Sequence, residues 1–508
     1  MRIKNIVIVG GGTAGWTTAH HFINKTHPTT KITVVATPEI PIIGVGESTT
    51  GRFNDLINLN PNITGVNEKE FLKETSSTFK LGIKHTDWYK KGQSFYSPIG
   101  DNYSNDYNYP HKDYDNYRIY HVADNLDYDK TYQSSLMREN KLHMMKDGRS
   151  VYAEEINVAY HLDTYKVGQY LKRKAINTKK CKYIDDQVVS FKQNNMGIVT
   201  SLKTKKGKTI KGDLFIDCSG FAKVLIDKVE KNHWISYENN LLVNSALNFN
   251  YVSDEPIRNY THAWAQKYGW LWEIPTQERL GCGYVFSDKF IDFDKAHDEI
   301  SKVLNRKIDV QRKIKFKTGR QEKMWCKNVV STGLSSAFIE PLEATSIHAT
   351  IMQITHFIEN YYKPDMPFEN EYLQDQYNSE MGQMWDNIRD FIVFHYITPR
   401  EDTEFWKESS SSNRWSTRLT KLMSIWQDRM PRHIDYINDK GNDFYNIGNV
   451  LWYQIGIGMK LFDSKMAKQE LIDYNLYDRT KQHYEEITTA VAKSMPFMVK
   501  TNDYYKSL

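Results

Sequence analysis

Cysteine is scarce: the 508-residue chain has 4, at Cys181, Cys218, Cys282 and Cys326, with no CxxC pair. This excludes a disulfide framework and suits a chain kept in a reducing cytosol, so a cytoplasmic protein without structural disulfides is expected. Long hydrophobic runs are missing too. The most apolar stretch, Ile447 to Phe462, is broken by Asn449, Gln454 and Lys460, and no segment reaches the roughly 18 apolar residues of a membrane span. A soluble protein is expected. Arg2 and Lys4 before Ile6 to Val9 imitate an export signal, but so short an apolar run ahead of glycines makes a strand. No excess of one charge exists: Lys+Arg 67 against Asp+Glu 62 leaves +5, announcing neither a nucleic-acid binder nor an acidic tail. The 16 histidines form no HExxH pattern, and His85, His111, His121 and His143 stand in unlike contexts, so no metal is expected. No repeat of fixed period is present, which argues against solenoids and propellers.

What is present is an ordinary globular composition, 40% hydrophobic and 25% charged, with aromatics somewhat rich at 13%. The length corresponds to about three domains, or to one large core with an elaborated second lobe. Lys4 to Val9 reads as a strand, Trp16 to Phe22 as a helix and Ile32 to Val35 as a second strand. Asp87 to Tyr132, crowded with Tyr, Asp and Asn, reads as a long ordered excursion or a surface loop. Val158 to Ala175 has helical spacing, Tyr183 to Gly212 reads as hairpins around a solvated Lys-rich tip, and Leu214 to Asp217 as a buried strand. From about Glu340 helical spacing dominates, with Trp385, Trp406, Trp415, Trp426 and Trp452 recurring.

The segment from Ile6 to Trp16 places GxGxxG between strand and helix, the context that gives this pattern meaning. Gly10 permits the turn, Gly12 lets a pyrophosphate approach the backbone, Gly15 allows close helix packing, and the amides of Thr13 and Ala14 open the helix towards the anion. The acid expected about 20 residues later is replaced by Ala36, with Thr37 and Glu39 nearby, so ribose binding is expected to be weaker or to use the Thr37 hydroxyl. FAD is favoured over NAD because Leu214 to Asp217 runs into Cys218-Ser219-Gly220, similar to the second flavin fingerprint of two-dinucleotide-type monooxygenases.

Four further blocks follow in order: Gly44 to Thr49 (GVGEST), Phe79 to Ile83 (FKLGI), Trp270 to Pro275 (WLWEIP) and Gly333 to Ile347 (GLSSAFIEPLEATSI). Behind the GxGxxG these resemble the flavin-dependent tryptophan halogenase family, closely from Arg2 to Ile354, with WxWxIP the most specific marker against hydroxylating relatives. The resemblance implies an α/β fold: an FAD-binding Rossmann-like domain with mixed sheets over residues 1–355, carrying a substrate-side excursion at about 85–135, and a mainly helical substrate lobe over 356–508. It also implies a reaction. Reduced FAD, supplied by a separate flavin reductase, reacts with O2 to a hydroperoxide that oxidises halide, and the hypohalous acid travels through a tunnel to an aromatic substrate.

Residue by residue, the resemblance makes Lys80 the lysine that holds or aims the electrophilic halogen, as an amine or as a hydrogen-bonding ammonium. Taken alone, Lys80 with Lys84 one turn later would read as a solvated helix face. Glu343, fixed by Pro-Leu-Glu-x-Thr rather than its neighbour Glu340, is implied as the base that removes the ring proton. Thr345 and Ser346 are implied to bind halide through backbone amides. Ser346 stands where tryptophan-specific members commonly have glycine, which opens bromide or iodide beside chloride. Gly10, Gly12, Thr13, Ala14, Gly15, Ser48, Val188, Leu334 and Ile347 are implied to hold FAD. Trp270, Trp272 and Pro275 are implied as the barrier between flavin and substrate, Phe95 and Ser97 as substrate-side candidates, and Ala159 to Asp163 as the helix start beside FAD; His161, taken alone, reads as a satisfied structural histidine. Phe444 to Gly458 matches no tryptophan clamp, so an indole, a phenol or another electron-rich small aromatic is the expected substrate class. A homo-oligomer is expected by analogy. The alternatives are a flavin-dependent aromatic hydroxylase and a flavin-binding protein without catalysis.

Overall fold

The computed structural model describes the chain except for residues 1–2, 41–46, 100–110, 128–129, 149–157 and 437–446. Gly44, Val45 and Gly46 of the second block, the centre of the aromatic excursion and the first residues of the Phe444 to Gly458 segment therefore lie outside the described residues. Two compact units interleave along the chain: residues 1–77, 162–238 and 317–386 form one, and residues 78–161, 239–316 and 387–508 the other.

The first unit is built on a six-stranded sheet in the order Trp325–Cys326, Val329–Ser331, Leu214–Asp217, Asn5–Val9, Lys31–Ala36, Cys181–Asp185. All neighbours are parallel except the short outer pair Trp325–Cys326 with Val329–Ser331. Ile6 to Val9 and Leu214 to Asp217 are buried throughout, which is why they occur as unbroken apolar runs rather than alternating ones. Helices Thr13–Lys25 and Thr164–Asn177 belong to this unit. The second corrects the helical reading of Val158 to Ala175: Ala159–Leu162 is a strand, and the helix starts only where the Asp163 carboxylate accepts the Tyr165 and Lys166 amides at 3.1 and 3.2 Å. The hairpins expected between Tyr183 and Gly212 form an antiparallel meander, Val188–Gln193, Val199–Thr204 and Thr209–Lys211, whose inner side joins Val7, Val9 and Val35 in one apolar cluster.

The second unit contains a seven-stranded sheet in the order Val310–Lys315, Ser245–Tyr251, Leu280–Phe286, Gly269–Pro275, Tyr260–Ala265, Gly82–Thr86, Ser94–Pro98. Only Tyr260–Ala265 with Gly82–Thr86 is parallel. Helix Phe293–Val303 closes one face with Ala296 and Ile300 against Leu247, Phe249, Leu271, Cys282 and Tyr284. Helices of the C-terminal stretch, including Glu404–Ser409, Thr417–Asp428, Asn449–Gly458, Ser464–Asp473 and Tyr477–Ser494, complete this unit and bury Trp406, Trp426 and Trp452. The aromatic excursion is structured at both ends: Ser94–Pro98 is an edge strand and His111–Ala123 a helix. Among the described residues, no helix is long and apolar enough to cross a membrane.

On the face away from helix Phe293–Val303, Trp272 lies opposite Gly283, and a Cβ on that glycine would stand 2.1 Å from the indole ring. Gly283→Ala is therefore expected to destabilise the protein by about 1–3 kcal/mol in urea unfolding. Adding Trp272→Leu should return part of that loss, whereas strictly additive costs would show that ring and glycine do not compete for one space.

Candidate active site

In the first unit the segments expected to hold FAD gather at the carboxyl ends of parallel strands, where open α/β sheets bind ligands. Gly10 follows strand Asn5–Val9 at φ +118°, and a Cβ there would lie 2.1 Å from the Cys218 carbonyl oxygen, so no other residue fits. A Cβ on Gly15 would meet the Gly10 carbonyl oxygen at 2.0 Å. Gly12 caps helix Thr13–Lys25 without a side-chain bond, and the first turn carries no acid. The leading amides thus have no partner within their helix, and the buried Thr13 hydroxyl has no hydrogen-bond partner among the described residues. Open amides, an orphaned hydroxyl and a cradle that side chains would fill together fit a dinucleotide pyrophosphate.

Asp217, at the end of the second fingerprint, turns inward. Its carboxylate accepts the Ser219 amide and hydroxyl, the Ser335 hydroxyl and the amides of Leu225 and Ile226, at 2.6–3.1 Å. It thereby ties the Cys218–Gly220 turn to the Gly333–Ser336 turn, and Gly333 sits close enough to Ala14 that a Cβ would fall 2.8 Å from the Ala14 methyl. Leu334 is half-buried in that turn. Val188 is packed in the cluster with Val9 and Val35. Ala36, where an acid was expected, packs tightly against the turn, 2.8 Å from a Cβ built on Gly11, and the Thr37 hydroxyl accepts the Glu39 amide at 3.3 Å.

Beyond Pro341 the backbone does something the sequence did not announce. Glu343 (φ +66°) and Ala344 (φ +56°) are successive left-handed residues immediately before helix Thr345–His356. Such conformations cost about 1–3 kcal/mol each in non-glycine residues and collect where function demands them. They turn the chain so that Glu343, 9% exposed, precedes a helix N-terminus whose first amides belong to Thr345 and Ser346. Those amides lack intrahelical acceptors, which is the chemistry an anion needs. Ile347 is buried in the same turn, and Glu340 is fully buried. Thr50 reaches the helix through a 2.9 Å hydrogen bond with His348 Nδ1, which carries the buried Ser48 and the preceding Glu47 with it. Burial pushes the Glu47 carboxyl up to about 7, and its Oε2 has no partner among the described residues. Sequence reasoning passed over Glu47; its place inside the Gly44 to Thr49 block was the available signal.

In the second unit Lys80 closes strand Thr78–Lys80 and is 1% exposed, which corrects the reading of a solvated helix face. The strand runs antiparallel to residues 159–161, pairing Thr78 with His161 and Lys80 with Ala159. The strand and the residue after it are pinned: the Phe79 amide donates to the Tyr505 hydroxyl at 2.6 Å, the Leu81 amide to the Asn259 carbonyl at 2.7 Å, and Gln133 Nε2 to the Leu81 carbonyl at 2.6 Å.

Strand alternation puts Trp270 and Trp272 on one sheet face with His85 and Phe95. Trp270 lies 6.1 Å from Trp272 and 6.2 Å from Trp88, and Trp88 lies 6.0 Å from His85. His85 stacks on Phe95 at 4.7 Å and 12°, and Gly458 approaches the other side of Phe95 so closely that a Cβ would lie 2.2 Å from the ring. Phe95 is thus a packed wall, and Ser97 donates to Gln454 Oε1 at 3.2 Å. Pro275 is buried, and its carbonyl accepts the Thr78 hydroxyl at 2.6 Å. Trp272 Nε1 is buried with no partner among the described residues.

The opposite face of the same strand carries Glu273, a residue sequence reasoning left unread. It accepts from Arg258 at 3.1 Å, His262 Nδ1 at 2.8 Å and the Tyr251 hydroxyl at 2.8 Å. Against the upward push of burial, the His262 hydrogen bond and the Arg258 charge hold the carboxyl down at about 2. Its folded value lies below the unfolded one of 4.5, so its stabilisation is complete above about pH 4.5 and is lost as pH falls towards 2, by about 3 kcal/mol. Glu273→Gln is expected to lose stability at neutral pH, where Arg258 is left uncompensated, and to flatten the acid limb of denaturant midpoint against pH; an acid limb of unchanged slope would count against this assignment.

Comparison with known proteins shows the family of the chain. Residues 5–471 match the family model described as tryptophan halogenase. The chain is 32% identical over 470 residues to the tryptophan 6-halogenase ThaL of Streptomyces albogriseolus, covering 88% of this chain and 86% of that one. It is 31% identical over 426 residues to the tryptophan 7-halogenase RebH of Lentzea aerocolonigenes, covering 80% and 78%. Among solved structures it resembles a tryptophan C-6 flavin-dependent halogenase from taromycin biosynthesis, with a TM-score of 0.87, 26% identity and 99% of each chain covered. A flavin-dependent halogenase from Xanthomonas campestris gives 0.85 at 25% identity, covering 100% and 98%. Matched over nearly its whole length, with the glycine cradle and the WxWxIP strand in place, the chain belongs to the tryptophan halogenase family of flavin-dependent halogenases and is an enzyme of the oxidoreductase class.

Proposed function

We propose that this enzyme halogenates an electron-rich small aromatic of the indole or phenol class, with Lys80 directing the halogen and Glu343 removing the ring proton. The observation that carries the reading is Lys80 itself: a lysine 1% exposed on a strand whose neighbouring hydroxyl is bonded to the last residue of WxWxIP. Burial of an ammonium is expensive and is retained where the charge has work to do.

The glycine cradle, Thr13, Ala14, Ser48, Leu334 and Ile347 would hold FAD, with Val188 supporting the cradle from the core. Bound in its reduced form, as delivered by a separate flavin reductase, the flavin would supply two electrons and two protons, so that O2, halide and one further proton give hypohalous acid and water. The Thr345 and Ser346 amides hold the halide, and the Ser346 side chain, in place of glycine, makes bromide or iodide acceptable beside chloride. Trp270, Trp272 and Pro275 form a wall that lets the small oxidant pass and keeps the arene from the flavin. Lys80 donates a hydrogen bond to hypohalous acid and thereby leaves its halogen electron-poor and aimed; the carbon–halogen bond forms as the O–halogen bond breaks. Glu343 accepts the ring proton, and the hydroxide freed from the halogen takes a proton from the Lys80 ammonium and leaves as water, both side chains then exchanging protons with solvent to reset. The relatives named as tryptophan halogenases act on tryptophan by their names; the Phe444 to Gly458 segment lacks a matching clamp, which favours a wider substrate class here.

The test is mass spectrometry of an indole and phenol panel incubated with FAD, a flavin reductase, NADH, O2 and bromide. Brominated product is expected and should fall at least about 100-fold in Lys80→Ala and in Glu343→Gln. Bromination unchanged in both variants would mean free hypobromite or other catalytic groups, and oxygenated product without bromine would make the enzyme a hydroxylase.

A further inference from the structure

A buried hydroxyl–imidazole–hydroxyl chain, Thr78–His161–Thr261, lies beside Lys80 and takes no part in the reaction described above. Thr78 Oγ1 stands 2.6 Å from the Pro275 carbonyl oxygen and 3.0 Å from His161 Nδ1, and His161 Nε2 stands 3.0 Å from Thr261 Oγ1. A hydroxyl has one proton and a carbonyl oxygen can only accept. The short contact to Pro275 therefore uses the Thr78 proton, and Nδ1 must carry a hydrogen of its own to donate to Thr78. A second ring proton is opposed by burial first and then by the charges of Lys80 and Arg258, which hold His161 well below its ordinary range. The neutral Nδ1–H tautomer leaves the Nε2 lone pair to accept the Thr261 hydroxyl.

The chain thus joins four strands: Thr78–Lys80, Ala159–Leu162, Tyr260–Ala265 and the last residue of Gly269–Pro275. Thr78 and Lys80, two residues apart, share a strand face, so His161, opposite Thr78, is the diagonal neighbour of Lys80, while directly opposite Lys80 stands only the methyl of Ala159. A shift of Thr78 against Pro275 is a shift of Lys80 against the WxWxIP strand.

We propose that His161 is a positioning residue for Lys80: as an uncharged link between Thr78 and Thr261 it fixes the lysine-bearing strand to the Pro275 carbonyl without adding a positive charge of its own. This rests on the role given to Lys80 above, and the experiment separates the two. In the free protein with labelled histidine, nitrogen-15 spectra assigned with His161→Gln should show the neutral Nδ1–H form unchanged over roughly pH 6–8; an imidazolium or an Nε2–H tautomer overturns the proposal. In turnover, brominated arene and free hypobromite caught by a diffusible trap are measured together. His161→Gln offers a donor to Thr78 and an acceptor to Thr261 and should keep arene bromination within about threefold. His161→Leu should lose at least about tenfold in arene bromination, because a displacement of about 1 Å costs up to about 100-fold, while total hypobromite changes less than about twofold. Thr78→Val, isosteric, breaks the link from its other end and should show the same split. Equal loss of arene product and hypobromite in both variants, or loss in neither, overturns the proposal. Wild-type bromination unaffected by Lys80→Ala would instead remove the role of Lys80, and with it any residue positioned for that role.

Discussion

Strand Gly269–Pro275 has to satisfy two environments at once, and much of the second unit follows from how it does so. One face presents Trp270 and Trp272, and the Trp272 ring leaves no space for a side chain at position 283. The other face presents Glu273, a buried carboxylate that is matched group for group by Arg258, His262 and Tyr251. A slip of one residue would bury the indoles among Arg258, His262 and Tyr251 and turn the carboxylate towards Trp88 and His85, so register is specified from both sides. The strand's last carbonyl then accepts the hydroxyl of Thr78, which shares a short strand with Lys80. A motif that looks like an aromatic signature is also an anchor for the strand that bears the lysine.

The first unit meets a different constraint, the provision of unpaired backbone donors without instability. It does so at two helix starts by different means. At Thr13–Lys25 the glycines remove side chains, so the amides are reached over bare backbone. At Thr345–His356 no glycine is available, and the left-handed pair Glu343–Ala344 bends the chain into position at a conformational cost. That cost falls on the residue expected to act as base, which argues that the direction of Glu343, and not the stability of the turn, has shaped the segment. Asp217 shows the complementary solution: an acid at the end of a nucleotide-site strand with five donors of its own serves the loops and not a ligand.

How much of this was legible depends on the range of the forces involved. The buried parallel strands were readable because burial on both faces writes itself as a continuous apolar run, and GxGxxG was readable because its glycines answer contacts made within one turn. Lys80 was misread as helical from Lys80–Lys84 spacing: a strand three residues long has no period to show, and it is held by Tyr505, Asn259 and Gln133, far away in sequence. The Val158 to Ala175 error is of the same kind, since the Asp163 cap was in plain sight but the strand before it exists through its pairing with Thr78–Lys80. Ala36 was legible as a departure, but its tight packing on the turn beside Gly11 was not.

Glu273 and the links of His161 to Thr78 and Thr261 escaped reading because their importance lies in the partners that folding brings, and nothing local distinguishes them from ordinary strand residues. His161 illustrates the point: alone it is one of 16 histidines, and only Thr78, whose proton goes to the Pro275 carbonyl, fixes which nitrogen carries the proton. The role proposed for Lys80 asks for surroundings that are rigid, polar enough to be satisfied and poor in competing charge, because a mobile or crowded ammonium would release the oxidant or repel its own neighbours. A neutral histidine held between two hydroxyls would meet those demands better than a second charged residue, since it can align a strand without adding a charge.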